Sequence, residues 1–183
     1  MKKLGLSALV SLALALAGCL PVASLETAAP VEGGRFTAGL TAVAASDASD
    51  LKAGALPYLA YAWGDGKTEF SISGQIGLRA GIKQMVAESF SVAGGVTIPW
   101  LILSGKWGSG IPFNADVALL YDAGESLTLM LRGMYAYLSA DLGHAWIGGT
   151  NLTYSYDALL FEGGVLLTQS GSPVISLSGA YRF

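Results

Sequence analysis

From Arg35 to the last residue the chain alternates between bulky apolar and small or polar positions. Phe36, Ala38, Leu40 and Ala42 are separated by Thr37, Gly39 and Thr41. Phe113, Ala115, Val117, Leu119 and Tyr121 are separated by Asn114, Asp116, Ala118 and Leu120, and Ile175, Leu177, Gly179, Tyr181 and Phe183 by Ser176, Ser178, Ala180 and Arg182. A period of two is that of a β-strand, whose successive side chains point to opposite faces. Turn-forming clusters punctuate the pattern at 46–50, 64–67, 87–88, 122–125 and 170–173. Together they predict strands at 35–44, 54–63, 68–75, 77–86, 89–98, 112–121, 126–138, 145–155, 158–168 and 173–183. Two stretches leave the number open. Alternation from Phe70 through Gly74 and Ile76 to Ile82 runs unbroken across the expected hairpin, and eight strands result if 69–86 is one strand and another hairpin is lost. Twelve result if Leu101 to Lys106 joins the sheet.

The two faces differ in kind, and composition decides what they face. The chain is 52% hydrophobic and 13% charged, whereas a soluble domain carries roughly a quarter charged residues. A soluble sandwich would need Lys and Glu on its outer face, and here the second face carries Gly, Ser, Thr and Ala. Such a face fits a narrow barrel interior, with the bulky set against lipid. The longest uncharged stretches, 89–105 and 163–181, are broken by Gly94-Gly95 and Pro99 and by 170–173, so neither reads as a spanning helix of about 20 apolar residues. A closed barrel is the other way to satisfy every backbone group in lipid. The expected fold is all-β, an antiparallel up-and-down transmembrane β-barrel of about ten strands over 35–183.

The first residues read as an address. Lys2 and Lys3 precede the apolar segment Leu4 to Ala17, the layout of a signal peptide. It closes on Leu16-Ala17-Gly18-Cys19, which resembles the bacterial lipobox. That resemblance implies cleavage after residue 18, a lipid on Cys19, and lipoprotein-processing enzymes as partners. Leu20 stands where an aspartate would favour the inner membrane, so the resemblance points to the outer one. The alternative is an ordinary signal peptide cut near Ala23. Residues 20–34, with Pro21, Pro30 and Gly33-Gly34, read as a tether without a core of its own. The expected divisions are 1–18, a lipoprotein-type signal peptide; 19–34, a lipidated N-terminus and tether; and 35–183, the barrel.

The last strand, with Leu177, Tyr181 and Phe183 on one face, resembles the C-terminal strand of small bacterial outer-membrane β-barrels. The resemblance covers 35–183. It implies that Tyr181 and Phe183 act as an assembly signal, that the barrel-assembly machinery and outer-membrane lipid are partners, and that the protein resides in the bacterial cell outer membrane. Most barrels of that class lack a lipobox.

Candidate chemistry is sparse. A net charge of −3 without a basic patch argues against nucleic acid as a partner. The single cysteine excludes an internal disulfide framework and a cysteine-rich zinc site, and no metal or cofactor is expected. The alternation turns Arg79, Lys83, Asp116, Arg132 and Glu162 inward, as a pairing network filling the lumen. The sharper reading is a selective pore or small-ligand site, although barrels of this size are normally filled by their own side chains. His144 lies near Ser139 and Asp141, but no spacing demonstrates a nucleophile and base converging, and no enzymatic activity is expected. Tyr58, Tyr61, Trp63, Trp100, Trp107, Tyr135, Tyr137, Trp146, Tyr154, Tyr156 and Tyr181 fall mostly toward strand ends, where membrane-interface girdles prefer Tyr and Trp.

The functional expectation is an outer-membrane barrel with a structural, surface-interaction or narrow-pore role, its soluble partner unidentified. One alternative is a lipid-anchored, lipocalin-like carrier of small apolar ligands, a class with a Gly-x-Trp motif in its first strand. Gly105-Lys106-Trp107 matches the letters but lies mid-chain. The other alternative is a lipid-modifying barrel enzyme.

Overall fold

In the computed structural model, residues 22–47, 50–100, 111–139 and 143–183 are described. They form ten strands: β1 (Glu32–Asp47), β2 (Asp50–Asp65), β3 (Thr68–Gly74), β4 (Gly77–Ala87), β5 (Phe90–Pro99), β6 (Phe113–Asp122), β7 (Leu127–Ser139), β8 (Gly143–Tyr156), β9 (Leu159–Thr168) and β10 (Pro173–Arg182). Each pairs antiparallel with its sequence neighbours, and β1 pairs with β10, from Thr37↔Arg182 to Ala45↔Val174. The sheet is a closed up-and-down barrel. Closure leaves no edge strand with unpaired backbone groups.

Every strand expected from the alternation is present, with ends within about four residues of the expected ones. The hairpin that blurred the count has a physical explanation. Gly74 pairs with Leu78, so partners across this turn have the same parity and the outward phase continues unbroken from β3 into β4. In the β2–β3 hairpin Gly64 pairs with Glu69 and the phase flips, which makes that turn visible in the sequence. There Asp65 Oδ1 accepts from the Lys67 and Thr68 amides at 2.9 and 2.7 Å, and Gly66 takes a φ of +80°.

The barrel has two unlike rims. At the terminal rim β1 begins and β10 ends, and the connections Gly66-Lys67, Glu88-Ser89, 123–126 and Asp157-Ala158 are short. At the far rim the 13-residue connection 100–112 is the longest in the barrel.

The bulky face points outward. Val117 and Leu177 are 55% and 67% exposed, while their neighbours Ala118 and Ser176 are 4% and 1% exposed. Aliphatic side chains such as Leu40, Ile82, Val96 and Leu131 cover the middle of the outer wall. Aromatic rings gather toward its rims. Tyr61, Trp63 and Phe70 stack at 5.7 and 6.0 Å, and Phe36, Phe183 and Tyr181 meet at 5.9 and 4.9 Å, all toward the terminal rim. Phe113, Tyr135, Tyr137, His144 and Trp146 form the corresponding group toward the far rim, with Tyr135 and Trp146 at 4.8 Å. An apolar band between two aromatic girdles is the surface a bilayer selects. Among the described residues no helix is long and apolar enough to cross a membrane.

One expectation needs correction. Residues 20–34 read as a tether, but 22–31 run inside the barrel, where Val22, Ala23, Ser24, Leu25, Ala28 and Val31 are all buried, and Glu32 to Gly34 belong to β1. The segment has no core of its own and borrows the barrel's. An eight-stranded barrel is just wide enough for side chains to fill, and diameter grows with strand number. Ten strands with many small inward residues leave room for one extended chain.

Candidate functional site in the lumen

The inward face carries more than small residues. Leu120, Met130, Met134, Ile147, Leu160 and Leu166 also point in and are buried. They receive the apolar side chains of the threaded segment. Val22 packs with Met134, Ala136, Ile147, Leu166 and Val174, and against Val43, Ala45 and Ile76, all in the far half of the lumen. Leu25 packs with Tyr58, Leu160 and Ala180 near mid-height, and Ala28 with Ala93, Ala118, Leu120 and Met130 in the terminal half. The segment therefore runs backward along the lumen, from Val31 at the terminal rim to Val22 near the far rim.

An extended chain inside a barrel must find partners for its backbone, because an unpaired buried amide or carbonyl is costly. Side chains of the wall supply them. Val22 N and Ala23 N donate to Gln75 Oε1 at 3.1 and 3.4 Å, and Val31 N to Glu69 Oε2 at 2.8 Å. Ala28 N donates to Thr128 Oγ1. In the other direction Tyr58 Oη, Lys83 Nζ and Ser91 Oγ donate to the carbonyls of Ser24, Thr27 and Ala28 at 2.7, 2.9 and 2.6 Å.

Glu162 is the centre of this seat. Its Oε1 accepts from Ser24 N at 3.1 Å and Asn151 Nδ2 at 2.8 Å. Its Oε2 accepts from Leu25 N at 2.7 Å, Ser24 Oγ at 2.9 Å and Thr153 Oγ1 at 3.2 Å. Two consecutive amides converge on one carboxylate, and Leu25, the second of them, adopts a φ of +50°. This left-handed conformation costs a leucine on the order of 1 kcal/mol or more. Successive amides turned into such a concavity form an anion-binding nest, and here the anion belongs to the barrel wall.

Arg79, Asp116, Arg132, Lys83 and Glu69 are paired. Arg79 grips Asp116 with a two-pronged fork, Nε to Oδ1 at 2.9 Å and Nη2 to Oδ2 at 2.8 Å, and its Nη1 lies 3.4 Å from Glu26 Oε1 on the threaded segment. Arg132 Nη2 lies 3.3 Å from the same Asp116. The cluster holds two cations and two anions. Lys83 Nζ pairs with Glu69 Oε2 at 2.9 Å. The Arg79 guanidinium lies against the backbone of two glycines: a Cβ on Gly95 would come within 2.7 Å of its Cζ, and one on Gly81 within 2.5 Å of Nη1.

No family model matches the sequence, and no curated protein matches it. Several solved structures are similar in shape. A de novo designed transmembrane β-barrel has 10% identity and a TM-score of 0.41 over 84% of this chain and 99% of its own. Ail, the attachment invasion locus protein of Yersinia pestis, solved with the heparin analogue sucrose octasulfate, has 12% identity and a TM-score of 0.38 over 84% and 100%. The monoaromatic hydrocarbon channel CymD has 9% identity and a TM-score of 0.41 over 82% and 88%.

The five inward charges named from the alternation are thus all buried, but they do not form one network. Arg79, Asp116 and Arg132 come together; Lys83 is joined instead to Glu69. Glu162 accepts from neutral donors on the wall and the threaded segment. Sequence reasoning missed Glu69, Glu26, Gln75 and Tyr58 as lumen groups. Tyr58, counted among the girdle aromatics, is 5% exposed and points inward. His144 lies on the outer wall, stacked 5.9 Å from Tyr135. Tyr181 and Phe183 are exposed on the outer face, and Phe183 N donates to Phe36 O at 2.8 Å. Cys19, Trp107 and the Gly105-Lys106-Trp107 triplet lie outside the described residues.

Proposed function

We propose that the protein is a bacterial outer-membrane barrel that closes its own lumen, with a structural or surface-interaction role in its resting state. The observation that carries the location is the outward bulky face: an apolar wall between aromatic rims would be costly in water and suits lipid. A lipocalin-like carrier keeps its bulky face inside, the reverse of this arrangement. Closure rests on residues 22–31, which occupy the lumen through hydrogen bonds along most of their length.

Both chain ends of the barrel meet at the rim with short turns, which supports a periplasmic position for that rim and an exterior one for the 100–112 connection. Tyr181 and Phe183 are the proposed assembly signal for the barrel-assembly machinery, and Cys19 the proposed lipid anchor. A narrow-pore role remains open to the protein once the segment leaves, because Asp116, Arg79, Arg132 and Glu162 would then line a polar passage.

Planar-bilayer recordings test this reading. The intact chain is expected to show the folded, heat-modifiable gel mobility of outer-membrane barrels and no steady conductance. A variant lacking 22–31 that still shows this mobility should conduct. Steady conductance from the intact chain would overturn closure, and a chain soluble without detergent would overturn the membrane location.

A further inference from the structure

Two cations at the terminal rim lack the acidic partner that Arg79, Lys83 and Arg132 each have. Arg35 on β1 and Arg182 on β10 share the inward phase. Arg182 pairs in register with Thr37, two residues from Arg35, so the arginines are diagonal neighbours on adjacent strands, a spacing long side chains bridge easily. Among the described residues neither takes part in an ion pair. Of the carboxylates lining the same cavities, Glu69 is paired with Lys83 and Glu26 with Arg79, Asp122 accepts from Thr128 Oγ1 at 2.6 Å, and among the described residues no ion pair joins Asp122 or Glu125 to either arginine. Arg182 Nη2 makes one long hydrogen bond, 3.4 Å to Thr27 Oγ1.

The same two side chains line two cavities at this rim. One is an inner space of about 40 Å³ beside Lys83; the other, of about 210 Å³, is walled by Thr27, Ser126 and Ser155. The smaller cavity is lined by Ala60, Ala62 and Ser71 and by Glu26 and Glu69, the two acids already paired with Arg79 and Lys83. Both arginines thus border one space whose wall carries the hydroxyls of Thr27, Ser126 and Ser155 and the carboxylates of Asp122 and Glu125. Like charges held together repel, and an oxyanion between them reverses that penalty with charge-assisted, bidentate hydrogen bonds.

We infer that Arg35 and Arg182 form a binding site for a phosphate-type oxyanion at the terminal rim of the barrel. Asp122 and Glu125 line the larger cavity as well. A phosphate ester carrying an ammonium group therefore suits it better than bare phosphate, the phosphate on the arginines and the amine toward the acids. Ethanolamine phosphate has this chemistry, whether as a free ester or as a lipid headgroup. The inference needs only the barrel and not its membrane location.

Isothermal titration of the full chain folded in detergent, at constant ionic strength, tests it with inorganic phosphate and ethanolamine phosphate. Saturable binding is expected, tighter for the ester. The Arg35→Gln/Arg182→Gln double variant should lose at least about tenfold in affinity, and Lys67→Gln, on a neighbouring turn, should lose none. In phosphate-free buffer the double variant should melt no lower than the parent, since it sheds a repulsion. If it does not fold, Arg35→Gln alone serves, with a smaller loss expected. A second arm uses the chain in vesicles of a phosphate-free galactolipid with and without phosphatidylethanolamine. Thermal stabilisation by the headgroup alone assigns the site to lipid, and a response to the soluble ester alone assigns it to a free metabolite; either supports the site. No saturable response in both arms, or unchanged affinity in a folded double variant, overturns it.

Discussion

Ser24 and Glu162, 138 positions apart in the chain, are joined by two hydrogen bonds, amide to Oε1 at 3.1 Å and hydroxyl to Oε2 at 2.9 Å. Through this pair the start of the described chain is held at mid-lumen by the penultimate strand. Glu162→Gln replaces an acceptor-only group with one that presents two donors to five donors already in place. Hydrogen bonds to a charged group are worth about 1.5–3 kcal/mol each. The expected result is loss of roughly that much from the seating of 22–31, with the barrel retained. Hydrogen exchange reads it: the Ser24 and Leu25 amides should exchange at least about tenfold faster, and those of β6 should not change.

The Arg79–Asp116 fork depends on two glycines. Gly95→Ala should force the guanidinium off its carboxylate, an overpacking effect of about 1–3 kcal/mol. Gly54→Ala, where an added Cβ meets nothing within 4 Å, is the matched control. Urea titration of the barrel refolded into vesicles should show a lower midpoint for the first substitution and a much smaller shift for the second.

Phe183 closes the outer seam between β10 and β1. Its amide donates to Phe36 and its ring meets Phe36 and Tyr181. If this strand is the assembly signal, Phe183→Asp should lower the yield of folded barrel in outer membranes severalfold. Ala123→Asp, in an exposed turn at the same rim, should leave it near the parent level. Equal yields would remove Phe183 from that role.

The direction of the threaded segment bears on the proposed lipid anchor. Cys19 precedes Val22 by three residues, which span at most about 11 Å, whereas the segment from Val22 back to the terminal rim is ten residues long. Acyl chains on Cys19 can therefore enter the bilayer only from the far rim while Val22 keeps its place. Intact mass is expected to show a lipidated Cys19, and a protease added outside the cells should cut it from the barrel, leaving a barrel lighter by the lipidated residues while the acylated peptide stays in the membrane. Cleavage only after the periplasm is opened would mean that lipidation and the threaded state exclude each other.

The barrel was legible because a lipid-facing wall and a filled lumen impose opposite chemistry on alternate residues. Leu177 beside Ser176, and Val117 beside Ala118, show it at single positions. The β3–β4 hairpin was ambiguous for a register reason, the same-parity pairing of Gly74 with Leu78. The threaded segment was not legible. Val22 to Val31 has no period, contains Pro30, and finds its partners on Gln75, Glu162, Glu69, Thr128 and Tyr58, which share no local pattern. One signal did exist: small inward residues on ten strands describe a lumen wider than its own wall can fill.

The facing of the strands carries the account, and nitroxide accessibility measures it directly. Single cysteines at Val117, Leu177, Ala118 and Ser176, spin-labelled in the barrel reconstituted into bilayers, report collisions with dissolved oxygen and with a water-soluble nickel chelate. Labels at Val117 and Leu177 are expected to collide freely with oxygen and hardly at all with nickel, the signature of hydrocarbon. Those at Ala118 and Ser176 should be shielded from both reagents by residues 22–31. High nickel accessibility at Val117 and Leu177 would contradict the account, because it would place the bulky wall in water.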